Sequence, residues 1–185
     1  MATGKYLLAA LAAAVSIPAF AAVTVVGSSS ARMCFEAADS PMTPTVRELD
    51  YCDNAFDEGA MSAHDTVATH VNRGILRLRR NQTDAAIADF DQAIRLDPRQ
   101  PEAYLNKGAA LIRLNDATEA LRLFTVAIEY NTRRPEIAHF GRAIANESLG
   151  NVRAAYDDYR RASELDPDWR DPQTELRRFR VVTPQ

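Results

Sequence analysis

Small and large apolar residues recur along most of the chain with a helical spacing, and the whole arrangement repeats about every 34 residues. Three copies span residues 68–98, 102–132 and 137–167, and a polar connection absorbs the one extra residue of the last interval. One aligned position carries small residues: Gly74, Gly108 and Ala143. Another carries large aromatic rings: Phe90, Phe124 and Tyr159. A period of this length indicates a repeat architecture.

Each copy divides into two helices at a polar break, near Asn81, Asn115 and Gly150. A small residue lets two crossing helices approach closely, and an aromatic ring of the partner helix fills the remaining space. The two-residue alternation of a strand is not found after residue 30. The sequence therefore predicts an all-α protein whose antiparallel helix pairs stack side by side.

The N-terminal residues have the pattern of an export signal. Lys5 precedes an uncharged, Ala- and Leu-rich run that ends at Pro18, and the sequence Ala19-Phe20-Ala21 follows. We expect residues 1–21 to be a signal peptide that is cleaved before Ala22, and residues 22–29 to be a flexible leader. The alternative is a membrane anchor, but an apolar run of about twelve residues is short for a spanning helix, which needs roughly 20. The expected location is therefore the periplasm or the outside of a bacterial cell.

The two cysteines, Cys34 and Cys52, lie in two helical segments separated by the helix-breaking sequence Ser40-Pro41-Met42-Thr43-Pro44. Two antiparallel helices over residues 30–63 would bring the cysteines side by side. In an oxidising compartment we expect them to form a structural disulfide. The alternative is a redox-active pair, which is disfavoured because there is no Cys-x-x-Cys sequence and no adjacent cluster of cations.

Composition and charge narrow the classes of function. The formal net charge of −3 argues against a dedicated nucleic-acid-binding protein. The three histidines, His64, His70 and His139, do not have the spacing of metal ligands, and His139 is expected to be a packing residue. The adjacent Asp157 and Asp158 should diverge on a helix. We found no nucleophile motif and no phosphate-binding loop, so we expect no catalytic residues, no cofactor and no bound metal.

The repeats resemble the tetratricopeptide repeat family. The resemblance rests on Asn72-Arg73-Gly74, residues 88–94 and Glu164-Leu165-Asp166-Pro167, and it covers about 100 residues. It implies an α-solenoid of three units, at about 67–100, 101–134 and 135–168, in a small exported bacterial member of the family. A capping helix over 169–180 should cover the last repeat, followed by a tail, 181–185. The arginines of that helix, including Arg178, are expected to face water rather than a nucleic acid or a lipid.

The resemblance also implies a concave groove that binds an extended peptide or a partner helix. The matching positions are Val71, Asn72, Ile75, Leu105, Asn106, Ala109, Arg113, Phe140 and Ile144. Asn72 and Asn106 resemble an asparagine ladder that binds a peptide backbone, although Gly141 interrupts it. The alternative is that they are solvated or form contacts within their own repeat. The clamp for acidic chaperone tails is matched only at Asn106, because Val71, Ile75, Ile137 and Gly141 stand at its other positions.

The sequence therefore predicts a non-enzymatic scaffold of the cell envelope that binds an extended or helical segment of a partner protein. Two alternatives remain open: a self-associating structural oligomer, and an accessory subunit of an envelope enzyme.

Overall fold

A computed structural model describes residues 5–8, 20–27, 29–59 and 61–182 of the chain. Most of the predicted signal peptide and the end of the predicted tail lie outside these residues. The helices are α1 (Ser29–Asp39), α2 (Val46–Asp57), α3 (Ala63–Arg79), α4 (Thr83–Leu96), α5 (Pro101–Arg113), α6 (Ala117–Glu129), α7 (Pro135–Ser148), α8 (Val152–Leu165) and α9 (Arg170–Leu176). Two short strands, β1 (Lys5–Leu8) and β2 (Phe179–Val182), pair antiparallel with Leu8 opposite Phe179. The predicted α-solenoid is confirmed, with this strand pair added to it.

The turns between paired helices contain residues that tolerate a left-handed backbone. Asn81 and Asn115 have φ angles of 60° and 59°, and Gly150, at the equivalent place in the third repeat, has a φ of 76°. Asparagine and glycine adopt this conformation more readily than other residues. The polar breaks of the sequence are therefore the places where α3, α5 and α7 end.

The aligned small and aromatic positions form the core of the repeats. Phe90, Phe124 and Tyr159 have no exposed surface. A Cβ atom placed on Gly74 would lie 2.5 Å from the Phe90 ring, and one placed on Gly108 would lie 3.0 Å from the Phe124 ring. The small residues are therefore required because the aromatic ring of each second helix packs directly on the backbone of the first.

The N-terminal hairpin consists of α1 and α2, and both pack against α3. Cys34 and Cys52 form the predicted disulfide, with their Cα atoms 4.9 Å apart. A capping box of Thr45 and Glu48 starts α2. Since the disulfide closes a loop of 18 residues, it is expected to stabilise the fold by about 3 kcal/mol.

The C-terminal cap differs from the predicted helix over 169–180, because α9 ends at Leu176 and the chain then turns into β2. The Trp169 ring packs on Phe140 at a centroid distance of 4.6 Å, and Phe179 packs on Tyr159 at 5.9 Å. Arg178 does not face water as expected, since it is half-buried and forms ion pairs with Glu147 and Glu175. The cap is thus an assembly of aromatic rings and ion pairs around a short helix.

The flexible leader expected over residues 22–29 is not observed: residues 22–27 continue an extended segment that begins at residue 20, and α1 begins at Ser29. Alternate side chains of this segment are buried against the first two repeats. None of the helices in the described ranges combines the length and the apolar character needed to cross a membrane.

Candidate functional site

The extended residues 20–27, called here the groove segment, lie along the concave side of the repeats against α3 and α5. Ala21, Val23 and Val25 are only 4, 3 and 6% exposed, whereas Thr24 is exposed and Val26 is 87% exposed. Side chains of an extended chain point alternately to opposite faces. One face of the groove segment is therefore buried in the groove and the other faces solvent.

Two asparagines hold the backbone of the groove segment. The Asn72 side-chain amide accepts a hydrogen bond from the Val23 N–H and donates one to the Val23 carbonyl, both at 2.8 Å. Asn106 accepts from the Ala21 N–H at 3.4 Å and donates to the Ala21 carbonyl at 3.1 Å. Asn106 also donates to the Glu102 carbonyl of its own helix at 2.9 Å. Each asparagine thus satisfies both backbone groups of one residue, as a neighbouring strand would, without contacting its side chain.

A carboxylate holds the end of the groove segment at the first repeat. The Val26 N–H donates to Asp65 Oδ1 at 3.1 Å, and the Ser62 hydroxyl donates to Asp65 Oδ2 at 2.9 Å. Burial alone would raise the pKa of Asp65, but these hydrogen bonds outweigh it and lower the pKa below its ordinary value. A Cβ atom on Gly27 would lie 2.7 Å from Asp65 Oδ2, so the segment leaves the groove at a residue without a side chain.

The other end of the groove segment lies between two arginines. The guanidinium carbons of Arg79 and Arg113 lie 5.2 and 5.9 Å from the centre of the Phe20 ring, which is cation–π distance. Arg113 also donates to the Leu78 carbonyl at 2.6 Å. Burial lowers the pKa of both arginines, and for Arg79 the charge of Asp39 opposes this effect. This end of the groove is therefore apolar at its centre and cationic at its walls.

The predicted groove residues fall into two groups. Val71, Asn72, Ile75, Leu105, Asn106 and Ala109 are buried on α3 and α5, the two helices along which the groove segment lies. Phe140, in contrast, is fully buried between the Tyr159 and Trp169 rings, so it joins the third repeat to the C-terminal cap. Ile144 is buried in the core cluster that contains Phe140, and this cluster also includes Leu105, Ala109 and Ala21 of the groove segment.

Gly141 interrupts the asparagine ladder for a steric reason. A Cβ atom on Gly141 would overlap the Phe124 ring, which already packs on Gly108 of the preceding first helix. An asparagine cannot stand at residue 141 unless that ring moves. The ladder therefore ends after the second repeat because Phe124 occupies the space between α5 and α7.

Sequence reasoning missed two buried networks, one in the first repeat and one in the third. Asp89 accepts hydrogen bonds from Arg73 at 2.7 Å and from Arg77 at 2.8 Å, and it faces His70 at 3.4 Å. In both networks burial would raise the aspartate pKa, but the histidine and arginine partners outweigh it and lower the pKa.

The third repeat carries the same arrangement. Asp158 lies 2.8 Å from His139 Nδ1, and it accepts from Arg142 at 2.7 Å and from Asn146 at 3.3 Å. His139 was expected to be a packing residue, but it pairs with a carboxylate. The signal in the sequence is that the histidine, the arginine and the aspartate all recur at the same interval. The networks join the two helices of a repeat, and in the described part of the chain no three His, Cys, Asp or Glu side chains could hold a metal ion.

Comparisons with known proteins agree with this geometry. The family model of the tetratricopeptide repeat matches residues 71–135 and 110–168, which together are more than half of the chain. The first tetratricopeptide domain of Spaghetti (RPAP3), solved with the HSP90 peptide SRMEEVD, is similar with 26% identity. That match covers 60% of this chain and 88% of that chain with a TM-score of 0.58.

Two further structures share the fold at lower identity. The tetratricopeptide domain of Arabidopsis OM64 is 23% identical, over 63% of this chain and 96% of that chain, with a TM-score of 0.60. MamA is 18% identical, over 70% of this chain and 72% of that chain, also with a TM-score of 0.60. Among curated proteins no sequence matches the chain.

Proposed function

The chain belongs to the tetratricopeptide repeat family of protein-interaction modules, and from this premise we propose that its groove binds an extended segment of a partner protein. The observation that carries the proposal is the pair of asparagines, Asn72 and Asn106, each of which pairs with both backbone groups of one residue in an extended chain. Since backbone groups are common to all sequences, this contact gives affinity to any extended segment that fits the groove. The scaffold acts by binding and not by catalysis.

The apolar floor decides which segments fit. Val71, Ile75 and Leu105 are buried on the two helices along which the groove segment lies, and the carboxylate of Asp65 accepts from the backbone at the end of the segment. The RPAP3 domain was solved with an acidic peptide, SRMEEVD. In this chain Val71, Ile75, Ile137 and Gly141 stand where a carboxylate clamp needs polar or basic side chains. The proposed partner therefore presents apolar side chains to the groove and not an acidic tail.

The proposal also includes export to the cell envelope. Its supports are the signal-like pattern of residues 1–21 and the disulfide between Cys34 and Cys52, since disulfides persist in oxidising compartments. N-terminal sequencing of the protein recovered from the envelope tests this part, and a protein that still begins at Met1 would contradict cleavage.

Crosslinking and pull-down from the native envelope tests the binding proposal. We expect the double variant Asn72→Ala/Asn106→Ala to lose most of the partner that the wild type captures. The matched control is Asn54→Ala, which removes an exposed amide from α2 and should capture the partner normally. Circular dichroism and thermal unfolding verify that each variant is folded. Equal capture by the folded double variant and the control would overturn the groove as the binding site.

A further inference from the structure

The groove already contains an occupant, and that occupant is part of the chain itself. The groove segment uses the ladder of Asn72 and Asn106, the apolar floor and Asp65, which are the same groups that a partner would need. A partner segment therefore cannot add to the groove segment and must replace it.

We propose that residues 20–26 of the uncleaved chain are a tethered copy of the ligand, of which cleavage before Ala22 would leave Val23 and Val25 in the groove. The partner is then an extended segment with small or β-branched apolar side chains at alternate positions. This inference rests on the proposed function and names the ligand chemistry of the same groove. The segment places alanine and then two valines, Ala21, Val23 and Val25, against the floor. Thr24 and Val26 reach solvent and Ala22 is partly buried, so the groove constrains Ala21, Val23 and Val25 most tightly.

The binding direction is also fixed by these contacts. Ala21 pairs with Asn106 of the second repeat, and Val23 pairs with Asn72 of the first. The ligand therefore runs from the second repeat towards the first, opposite to the order of the repeats in the sequence. Its aromatic first residue lies between Arg79 and Arg113, and its last backbone N–H reaches Asp65.

The tether makes the groove segment a strong competitor. A segment linked to its site by a short chain has an effective concentration in the millimolar range. A free peptide of the same sequence therefore binds the intact chain weakly, and it binds much more tightly once the tethered copy is released.

Release can be achieved by one substitution. Val23→Pro removes the N–H that donates to Asn72 Oδ1, while the rest of the chain is unchanged. Thr24→Pro is the matched control, because no described residue accepts a hydrogen bond from the Thr24 N–H. The Thr24 side chain is exposed, and its hydroxyl accepts a hydrogen bond from Arg133 at 3.2 Å, which Thr24→Ala removes without adding a proline. A second release variant, Val23→Asp, places a charge against the apolar floor and acts by a different mechanism.

The probe is a fluorescein-labelled peptide with the sequence of residues 20–27, and the readout is fluorescence anisotropy with the oxidised, full-length chain. We expect the Kd for the peptide to fall at least about tenfold in Val23→Pro and in Val23→Asp, but not in Thr24→Pro. Adding Asn72→Ala to Val23→Pro should abolish this gain, whereas adding Asn54→Ala should not. Peptides with aspartate in place of Val23 or Val25 should fail to bind, and one with aspartate in place of Thr24 should bind.

Two results would overturn the inference. One is an unchanged Kd in both folded release variants, which would show that residues 20–26 do not compete for the site. The other is a concentration-dependent dimer in light scattering that the release variants abolish, because the segment would then occupy the groove of a second copy. Because Asn72 and Asn106 hold the groove segment as well as a partner, the pull-down is also carried out with Val23→Pro present in every variant. Loss of capture on adding Asn72→Ala/Asn106→Ala to Val23→Pro then tests the proposed function whether or not residues 20–26 compete for the groove.

Discussion

The first and third repeats join their two helices through a buried carboxylate, whereas the middle repeat uses apolar side chains at the same positions. Asp89 and Asp158 align with Leu123, which is 1% exposed. His70 and His139 align with Tyr104, whose ring packs edge-on against Tyr130 at 5.8 Å. All three repeats nevertheless have a small residue and an aromatic residue at the two aligned positions where their helices cross.

This difference shows which part of the pattern determines the fold and which part can be exchanged. The helix crossing depends on the aromatic ring against a small residue and is common to all repeats. The second contact between the helices can be ionic or apolar. A buried ion pair is costly to break but no better than a well-packed apolar contact, so either solution is compatible with the same architecture.

The largest effect is expected from removing one of the buried carboxylates. Asp158→Ala leaves Arg142 and His139 in a half-buried site without their acceptor, and it should lower the free energy of unfolding by about 3–5 kcal/mol. The control is Asp157→Ala on the same helix, whose side chain is half exposed and whose arginine contacts are 4.0 Å long. Urea denaturation of both variants measures the difference, and similar values would contradict a structural role for the network.

Acidification should weaken the first and third repeats by the same mechanism but to a smaller extent, because a protonated carboxyl keeps part of its hydrogen bonding. The pKa values of Asp89 and Asp158 are lowered in the fold, so their contribution is complete above the ordinary aspartate pKa. It is lost as the pH falls through the lowered values. We expect the Tm to decrease below about pH 4. The variant Asp158→Asn should show a flatter pH profile than the wild type, and parallel profiles would contradict the assignment.

A methyl group at Gly141 tests the contact that ends the asparagine ladder. Ala is normally the better residue inside a helix, by about 1 kcal/mol. Gly141→Ala should nevertheless destabilise by about 1–3 kcal/mol, because its Cβ overlaps the Phe124 ring. In Gly108→Ala the added Cβ would lie 3.0 Å from the same ring, so this variant should lose less free energy of unfolding. Thermal unfolding of the pair is the measurement, and a Gly141→Ala variant more stable than the wild type would disprove the steric explanation.

The smallest effect is expected in the middle repeat, at its surface. Lys107 aligns with Arg73 and Arg142 but pairs with Asp91, a carboxylate that is partly exposed, at 2.6 Å. The Asp91 side chain is 39% exposed, against 9% for Asp158, so this pair is closer to a surface ion pair, which contributes about 0–1 kcal/mol. Lys107→Ala should therefore change the urea midpoint little, in contrast to Arg142→Ala, which removes a ligand of the buried Asp158.

The sequence was sufficient for the architecture because the fold depends on a strictly periodic set of residues. Each aligned small residue allows two helices to approach closely, and each aligned aromatic ring fills the space between them. The positions of these residues in the sequence therefore predict where the helix pairs lie. The disulfide was also predictable, since the helix-breaking sequence between the two cysteines predicts an antiparallel hairpin that places them side by side.

The occupant of the groove was not predicted, because the glycine and serines after residue 26 suggested a leader without structure. The sequence carried only a weak signal for this segment, because Ala22 and Val26 are apolar as well and Thr24 is the single polar residue of residues 21–26. The segment can be recognised only together with its docking site, since Asn72 lies 49 residues after Val23 in the sequence. The paired networks were missed for a similar reason, since each histidine and its aspartate lie on different helices.

The burial of Ala21 has a consequence for the order of events in the life of the protein. The bond between Ala21 and Ala22 is the expected site of signal cleavage, yet Ala21 is 4% exposed and its carbonyl is bonded to Asn106. A peptidase needs an accessible, extended substrate, so it must cut this bond before the solenoid closes around it. If the proposed cleavage takes place, it therefore precedes docking of this segment, and the processed chain keeps the Val23 contact with Asn72 but loses the Ala21 contact with Asn106.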